Sequence, residues 1–161
     1  MNVGIKIERS IELPVPVAQS RQLIQDYQVT FRRFPKLRKL TRLGEHQYRW
    51  DMSTIGSRMA RIAHDVSYGA HYQVDAHAGE LVWSPLSGVG NASIKGRMRV
   101  TPSTQGSRLS LAVSGQLYEV PIPLMYRVIA PSFIEGKFTA MVDGFLQNSC
   151  HAARTLPASA D

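Results

Sequence analysis

The sequence of 161 residues has little of what marks secreted or membrane-spanning proteins. Its one cysteine, Cys150, excludes an internal disulfide and is typical of a reducing compartment. No run of residues approaches the roughly 18 uncharged apolar positions of a membrane-spanning helix. The first residues, MNVGIKIERSIEL, carry a charge every few positions and have no apolar segment of the kind found in signal peptides. These absences predict a cytoplasmic protein.

The chain also has no internal repeat, no low-complexity tract and no linker. This predicts a single domain, residues 1–161, in which residues 156–161 form a flexible tail. Hydrophobic residues make up 43% and charged residues 19%, a balance that excludes a wholly disordered chain. A domain of this size buries roughly 70% of its unfolded surface, so its core needs no crosslink.

Sites for metals and for the common cofactors are not recognisable in the sequence. The five histidines stand at spacings that match no metal-ligand motif, either with Cys150 or with acidic residues. No nucleophile motif, phosphate-binding loop or dinucleotide fingerprint is present. The sequence therefore predicts neither a bound metal nor a cofactor.

Acidic residues are scarce, with 12 against 19 lysines and arginines, and the formal net charge is +7. Such an excess favours anionic partners, although solubility alone also explains it. Residues 31–43 contain no acid and mix basic with aromatic side chains. A solvated outer face is the simpler interpretation of this segment, and the alternative is a surface that docks on an anionic membrane or on a protein; no motif supports nucleic acid as a partner. The predicted docking residues are Arg32, Arg33, Lys36, Arg38 and Lys39.

What the sequence does have is a long two-residue rhythm in its middle part. Apolar and polar residues alternate in about six runs, of which 92–101 and 109–117 are long and regular. Such alternation predicts antiparallel strands with one apolar face and one solvated face. Within this region we also predict a strand at 60–68, a bend at Gly69 and a loop at 85–90.

Prolines and helical spacing mark the part of the chain that precedes this region. A strand at 4–13 is followed by Pro16, which suits the first position of a helix from Val17 to about Tyr27. A short second helix is predicted to end at Pro35. The order up to this point is therefore strand, helix, helix.

Apolar residues at spacings of three and four predict one long C-terminal helix that ends near Ala153. An amphipathic helix of that length needs a partner surface, and the apolar face of the predicted sheet is large enough. Gly96 and Gly115 lie on that face and would allow the sheet to curve sharply around the helix.

This order of elements is the helix-grip arrangement, and the chain resembles the START-like (SRPBCC) superfamily, which includes the birch-pollen allergen family, lipid-transfer domains and polyketide cyclases. The resemblance implies an α+β fold in β-α-α-β6-α order, with a curved antiparallel sheet of six to seven strands around the long helix. It also implies a cavity between sheet and helix that takes lipids, quinones or polyketides. Three segments carry the resemblance over nearly the whole chain: IELPVPVAQSRQLIQDYQVTFRRFPKLRKLTRLGEHQYRWDMSTIG, LVWSPLSG and VPIPLMYRVIAPSFIEGKFTAMVDGFLQNS.

From this resemblance we predict that the domain binds or transports a hydrophobic small molecule in such a cavity. The predicted lining residues are large, mostly apolar and placed on inward positions, and for each of them the alternative is that it only fills the core. They are Trp50, Met52, His64, Tyr68, Tyr72, Trp83, Met98, Tyr118, Met125, Phe133, Phe138 and Met141.

Catalysis in the same cavity is the alternative function. His64 lies on the apolar side of its predicted strand near Tyr68, and such a pair has the acid and base groups of a polyketide cyclase or dehydratase. A histidine that is hydrogen-bonded within the core is the simpler interpretation of His64. Since no other inward polar groups are clustered, binding is predicted ahead of chemistry.

Two glycines, Gly136 and Gly144, lie inside the predicted long helix, where each costs about 1 kcal/mol relative to alanine. One interpretation is that they make room for a ligand or for the sheet. The other is that they have no role and the helix tolerates their cost. Together with Pro131 they predict a helix that shifts and so gates the cavity.

Overall fold

The computed structural model describes residues 1–53, 55–57 and 62–157, with residues 55–57, 62 and 63 described by their backbone alone. The strands are β1 (Val3–Leu13), β2 (Leu37–Gly44), β3 (Gln47–Met52), β4 (Ile55–Ser57), β5 (Ile62–His64), β6 (Ser67–Asp75), β7 (Glu80–Gly90), β8 (Ala92–Ser103) and β9 (Gly106–Leu117). The helices are α1 (Val17–Ser20), α2 (Tyr27–Phe31) and α3 (Ala130–Ala153), with 3₁₀ turns at Arg21–Ile24 and Leu124–Tyr126.

The main sheet is antiparallel and has seven strands in the order β1-β9-β8-β7-β6-β3-β2. The strand pairs β6–β7, β7–β8 and β8–β9 follow one another along the chain, whereas β1 pairs with β9 although almost the whole chain separates them. Because β1 and β2 lie at opposite edges, the short helices α1 and α2 connect one edge of the sheet to the other. The small β4–β5 sheet lies between β3 and β6 along the chain, and β4 lies against α3. This topology confirms the predicted α+β helix-grip fold.

One face of the sheet packs on α3. Every second residue of β8 from Ala92 to Val100 is buried, as the two-residue rhythm predicts. Arg9 of β1 and Asp143 of α3 form two hydrogen bonds of 2.9 Å, which tie the helix to the edge strand. The buried residues of α3 recur at helical spacing and are Ala130, Ile134, Phe138, Met141, Val142, Phe145, Leu146, Ser149 and Ala153.

Gly96 permits close packing on this inner face. A β-carbon at Gly96 would lie 2.1 Å from Cζ2 of Trp83, its paired residue on β7, so the indole occupies the space of the absent side chain. Gly144 of α3 has a similar role, because a β-carbon there would lie 2.6 Å from Cγ of Pro35. Gly136 has no atom within 4 Å of the corresponding position. The gating role of the helix glycines remains a prediction.

The predicted first helix is wrong in its length. α1 ends at Ser20, a 3₁₀ turn follows, and α2 begins after Asp26. The Asp26 carboxylate accepts hydrogen bonds from the backbone N–H groups of Gln28 and Val29, at 3.0 and 3.3 Å. This N-cap starts a new helix and stops the first one from continuing, and it places Phe31 in the core.

The strand predicted at 60–68 is interrupted: β5 ends at His64 and β6 begins at Ser67, while its first two positions lie outside the described residues. The side chain of Asn91 causes the interruption. Its oxygen accepts the Ser67 N–H at 2.9 Å, and its amide donates to the Asp65 carbonyl at 2.7 Å. These side-chain bonds take the place of strand pairing at this point.

The predicted bend at Gly69 and the predicted loop at 85–90 are also wrong. β6 runs through Gly69, where a β-carbon would lie 2.7 Å from Cγ1 of Val89. β7 continues through the predicted loop, with a shift of pairing between the partners of Tyr68 and Ala70. The shift marks a bulge in β7, and the side chain of Val89 in the bulged segment packs against Gly69.

Candidate functional site

Eight buried aromatic side chains are in contact inside the domain, and we call them the aromatic cluster. They come from α2 and the residues after it, from β3, β6 and β7, and from α3, and neighbouring ring centroids lie 4.1 to 6.5 Å apart. Alternate residues of β3 and β6 take part because side chains two apart share one face of a strand. The cluster consists of Phe31, Phe34, Tyr48, Trp50, Tyr68, Tyr72, Trp83 and Phe145.

Trp50 lies at the centre of the aromatic cluster. Its ring stacks on Tyr68 with centroids 5.4 Å apart. Its ring centroid is 4.8 Å from that of Phe31 and 5.2 Å from that of Phe34. The indole Nε1–H donates a hydrogen bond to the hydroxyl of Tyr72. Because a buried indole N–H is unfavourable without an acceptor, this bond fixes the position of the Tyr72 hydroxyl.

Burial raises the pKa of the phenol of Tyr68, and it also raises the pKa of Tyr72 well above its ordinary value. For Tyr72 the proximity of Tyr68 adds to this rise, whereas the hydrogen bond from Trp50 opposes it. Both phenols therefore stay protonated at neutral pH. The Tyr68 side chain is buried in an apolar surrounding.

Two ring nitrogens are also buried. Within the part of the chain that the structure describes, Nε1 of Trp83 and Nε2 of His64 are buried and have no hydrogen-bond partner. Burial lowers the pKa of His64, and Asp65 opposes this effect only in part. The lowered pKa means that the imidazole is neutral at pH 7.

His64 and Tyr68 are not adjacent, although both were assigned to one side of a strand. His64 is paired with Ile55 of β4, and Tyr68 is paired with Trp50 of β3. The buried side chain of Val66 follows His64 in the interruption between β5 and β6. The acid and base roles of this pair remain a prediction.

Most of the residues predicted to line a cavity are buried inside the domain. Eight of the twelve are buried, while His64 and Phe133 are partly buried, and this agrees with their predicted inward orientation. Their contact with a ligand remains a prediction. The eight buried residues are Trp50, Met52, Tyr68, Tyr72, Trp83, Met98, Phe138 and Met141.

The inward orientation predicted for Tyr118 and Met125 is wrong. Their exposed fractions are 41% and 79%. Tyr118 follows the buried Leu117, so strand alternation turns its side chain to the outside. Met125 lies in a 3₁₀ turn that ends before α3 begins at Ala130, and it therefore does not share the buried face of that helix.

Space open to solvent in the described part of the chain includes grooves at the surface. One groove of about 300 Å³ crosses β1, β9, β8 and β7 along the paired residues Ile7, Val113, Gly96 and Trp83. The two neighbouring rows, whose side chains face the other side of the sheet, line the same groove. They consist of Lys6, Ser114 and Lys95, and of Glu8, Ala112, Arg97 and Val82.

A second groove, of about 710 Å³, contains a tyrosine–histidine contact. The Tyr27 hydroxyl lies 3.1 Å from Nδ1 of His46, and it also donates to the carbonyl oxygen of Tyr72 at 3.4 Å. The ring of His71 is close to that of His46, with centroids 6.4 Å apart. No sequence pattern signals this contact, because His46 lies in a turn with a positive φ of 58° and Tyr27 lies in α2.

The basic segment predicted for docking is mostly exposed, but Arg33 is not free to meet a partner. Arg33 is partly buried against α3, where its Nη1 donates to the Ser149 hydroxyl at 3.4 Å and its carbonyl accepts from Asn148 at 2.8 Å. Burial lowers its pKa to about 10. The exposed members are Arg32, Lys36, Arg38 and Lys39.

Among the described residues, no group of histidine, cysteine, aspartate and glutamate side chains is arranged to hold a metal ion. In the same residues, no helix combines the length and the apolar character that crossing a bilayer requires.

No protein-family model and no curated protein matches the sequence, whereas solved structures match the fold. A START superfamily protein from Mycobacterium smegmatis aligns with a TM-score of 0.61 at 10% identity, over 92% of this chain and 97% of that one. The Zhui aromatase/cyclase from a Streptomyces species aligns with a TM-score of 0.59 at 12% identity, over 94% of each chain.

The di-domain ARO/CYC protein StfQ from the steffimycin biosynthetic pathway aligns with a TM-score of 0.62 at 14% identity. The match covers 94% of this chain and 51% of StfQ. At these identities the likeness concerns the fold alone. The chain has the START-like helix-grip fold.

Proposed function

We propose that the domain binds a planar apolar molecule with at least one hydrogen-bonding oxygen, such as a quinone or an aromatic polyketide, between its sheet and α3. The observation that carries the proposal is that Nε1 of Trp83 and Nε2 of His64 are buried and have no hydrogen-bond partner among the residues that the structure describes. Buried polar groups in folded proteins nearly always have partners. A carbonyl oxygen of a ligand would accept from the indole.

The composition of the surrounding wall supports the same class of ligand. Aromatic rings favour stacking with a flat ring system over contact with a saturated chain. Met52, Met98 and Met141 are buried on the same interior, and unbranched thioether side chains adapt to an incoming molecule. Two matched structures are named as aromatase/cyclases, which supports aromatic polyketides as one candidate class.

Titration with ligands of different shape tests this proposal. Trp50 and Trp83 are the two tryptophans of the chain and both belong to the aromatic cluster, so intrinsic fluorescence reports binding directly. We expect saturable binding of emodin and of a short-chain ubiquinone, and weaker binding of oleate. Calorimetry checks the affinities independently of light absorption by the ligands.

Trp83→Phe keeps an aromatic ring but removes the indole N–H. We expect this variant to bind the two quinones about 5- to 150-fold more weakly, because a lost hydrogen bond to a buried group amounts to about 1–3 kcal/mol. Binding of oleate should change much less. Val29→Ser on α2 is the matched control, since Val29 is 56% exposed and does not belong to the aromatic cluster. Quinone affinity equal to wild type in Trp83→Phe, or no saturable binding at all, would contradict the proposal.

Cyclisation of a polyketide in the same interior is the second candidate function, and the two matched structures named as aromatase/cyclases support it. A neutral His64 accepts a proton from carbon, and a protonated Tyr68 supplies one to the carbonyl oxygen that becomes a hydroxyl. We expect His64→Ala to keep emodin binding in either case. If the domain is an enzyme, the same variant loses ring closure of a linear poly-β-ketone, followed by mass spectrometry; absence of ring closure in the wild type would exclude this candidate.

A further inference from the structure

Exposed apolar side chains are concentrated at one place on the surface. In the described part of the chain eight large apolar side chains are exposed, and five of them fall within residues 118–129. A sixth, Met1, adjoins this segment, because the Val120 N–H donates to its carbonyl oxygen at 2.8 Å. The three largest exposed fractions are those of Val128, at 91%, and of Leu124 and Met125, each at 79%.

We call residues 124–129 the apolar tip, and buried residues hold it at both ends. Ile122 is buried just before it, and Ala130 is buried just after it at the start of α3. Within the tip, the partly buried ring of Tyr126 packs against the core. Because both ends and one internal residue are fixed, the exposed side chains are presented by a folded segment rather than by a fraying terminus.

The one charged residue of the apolar tip is basic. Arg127 is exposed and is the only charged residue between positions 120 and 134. The flanking acids are Glu119 and Glu135, and Lys137 follows in the second turn of α3. The whole chain carries a net charge of +7, so long-range attraction to an anionic surface reinforces the local contact.

A second protein is a poorer partner for this segment than a lipid surface. A stable protein interface uses about 20–30 residues on each side, which form a broad complementary patch. The apolar tip is a segment of only six residues, with four exposed apolar side chains. A bilayer accepts such a segment without a complementary shape, and interfacial segments enter it to about 5–10 Å.

We propose that the apolar tip inserts into the interfacial region of an anionic phospholipid bilayer and docks the domain peripherally. Because the tip leads directly into α3, docking would bring the interior of the domain close to the lipid. The docking site is separate from the basic segment, which lies near the other part of α3 where Pro35 approaches Gly144. The proposal does not depend on the identity of the bound ligand.

Sedimentation with vesicles tests the docking. We expect the wild type to sediment with vesicles of equal amounts of phosphatidylcholine and phosphatidylglycerol, and less with phosphatidylcholine alone. The triple variant Leu124→Ser, Met125→Ser, Val128→Ser should lose more than about tenfold in vesicle affinity, because its apolar contact with the lipid is removed. The matched control is Val29→Ser with Leu43→Ser, which removes exposed apolar side chains elsewhere and should bind like wild type.

A fluorescent label gives a second readout that does not depend on variant stability. In a Cys150→Ser background, a cysteine at Val128 or at Val29 is labelled with an environment-sensitive dye. Anionic vesicles should shift the emission to the blue at position 128 and leave it unchanged at position 29. An equal response at both positions would overturn the proposal.

Three other results would also overturn it. Vesicle binding by the triple variant at wild-type affinity is one. Binding that is lost instead in Arg32→Glu with Lys36→Glu would assign docking to the basic segment. A wild type that ignores vesicles but forms a dimer in light scattering, which the triple variant does not form, would assign the apolar tip to a protein interface.

Discussion

Replacing Trp50 with alanine is expected to lower the free energy of unfolding by about 3–5 kcal/mol. The indole is 1% exposed and touches rings from three directions, so its removal leaves a large cavity. The neighbours Phe31 and Tyr68 are held by α2 and β6, and Phe34 is stacked on Phe145 of α3, which limits collapse into the space. The hydroxyl of Tyr72 also loses the donor that it has in the wild type. Urea unfolding followed by far-ultraviolet circular dichroism measures the change.

A double-mutant cycle with Tyr72→Phe separates the hydrogen bond from the packing. Tyr72→Phe alone leaves the indole N–H of Trp50 buried without an acceptor, so we expect a loss of about 1–3 kcal/mol. In the Trp50→Ala background the same change should have a much smaller effect, because the donor is already absent. A loss of less than about 1 kcal/mol in Trp50→Ala would show that the aromatic cluster is not the packed centre of the domain.

The features that follow from local geometry were predictable from the sequence. Strand alternation assigned the buried face of β8, and helical spacing placed the end of α3 at Ala153, where the structure has it. Both patterns are properties of a few neighbouring residues, since side chains return to the same face of a strand every two positions and to the same face of a helix about every 3.6 positions. The order of the elements then led to the helix-grip fold.

What the periodic patterns could not show are bonds made by single side chains. The Asp26 side chain caps α2 through residues close in sequence, and the Asn91 side chain bonds to residues on both sides of the interruption before Ser67, and neither leaves a periodic signal. The helical spacing around Met125 also misled, because apolar residues before α3 share its spacing but not its helix. Pro123 and Pro131 delimit that segment, and the chain leaves the core there.

The candidate site also has features that the sequence predicts and features that it does not. The sequence identified large inward residues such as Trp50 and Trp83, because their face follows from alternation. It could not indicate which of their polar atoms would find partners. The indole of Trp50 donates to the Tyr72 hydroxyl, whereas that of Trp83 lies over Gly96 and meets no acceptor among the described residues. That difference depends on strand register, which is set by turns and bulges rather than by residue type.

Gly115→Ala is expected to destabilise the domain by more than about 3 kcal/mol, at or beyond the upper end of overpacking costs. A β-carbon at this position would lie 2.0 Å from the carbonyl oxygen of Ser93 and 2.8 Å from Cα of Ile94. Both atoms belong to the backbone of β8, so no change of rotamer relieves the contact. β9 is paired with β8 on one side and with β1 on the other, and it cannot move away from one without disturbing the other.

Alanine substitutions at two other glycines serve as comparisons for the loss of stability expected at Gly115. Alanine at the exposed Gly136 of α3 meets no atom within 4 Å and should raise the free energy of unfolding by up to about 1 kcal/mol. Alanine at Gly144 meets the side chain of Pro35 at 2.6 Å, which yields more easily than a strand, so its effect should be intermediate. If Gly115→Ala instead unfolds at the same urea concentration as wild type, β8 and β9 do not approach each other as described. The three substitutions each add one methyl group. The order of their effects on the free energy of unfolding therefore depends mainly on which atoms lie next to that group, and only secondarily on helix or strand propensity.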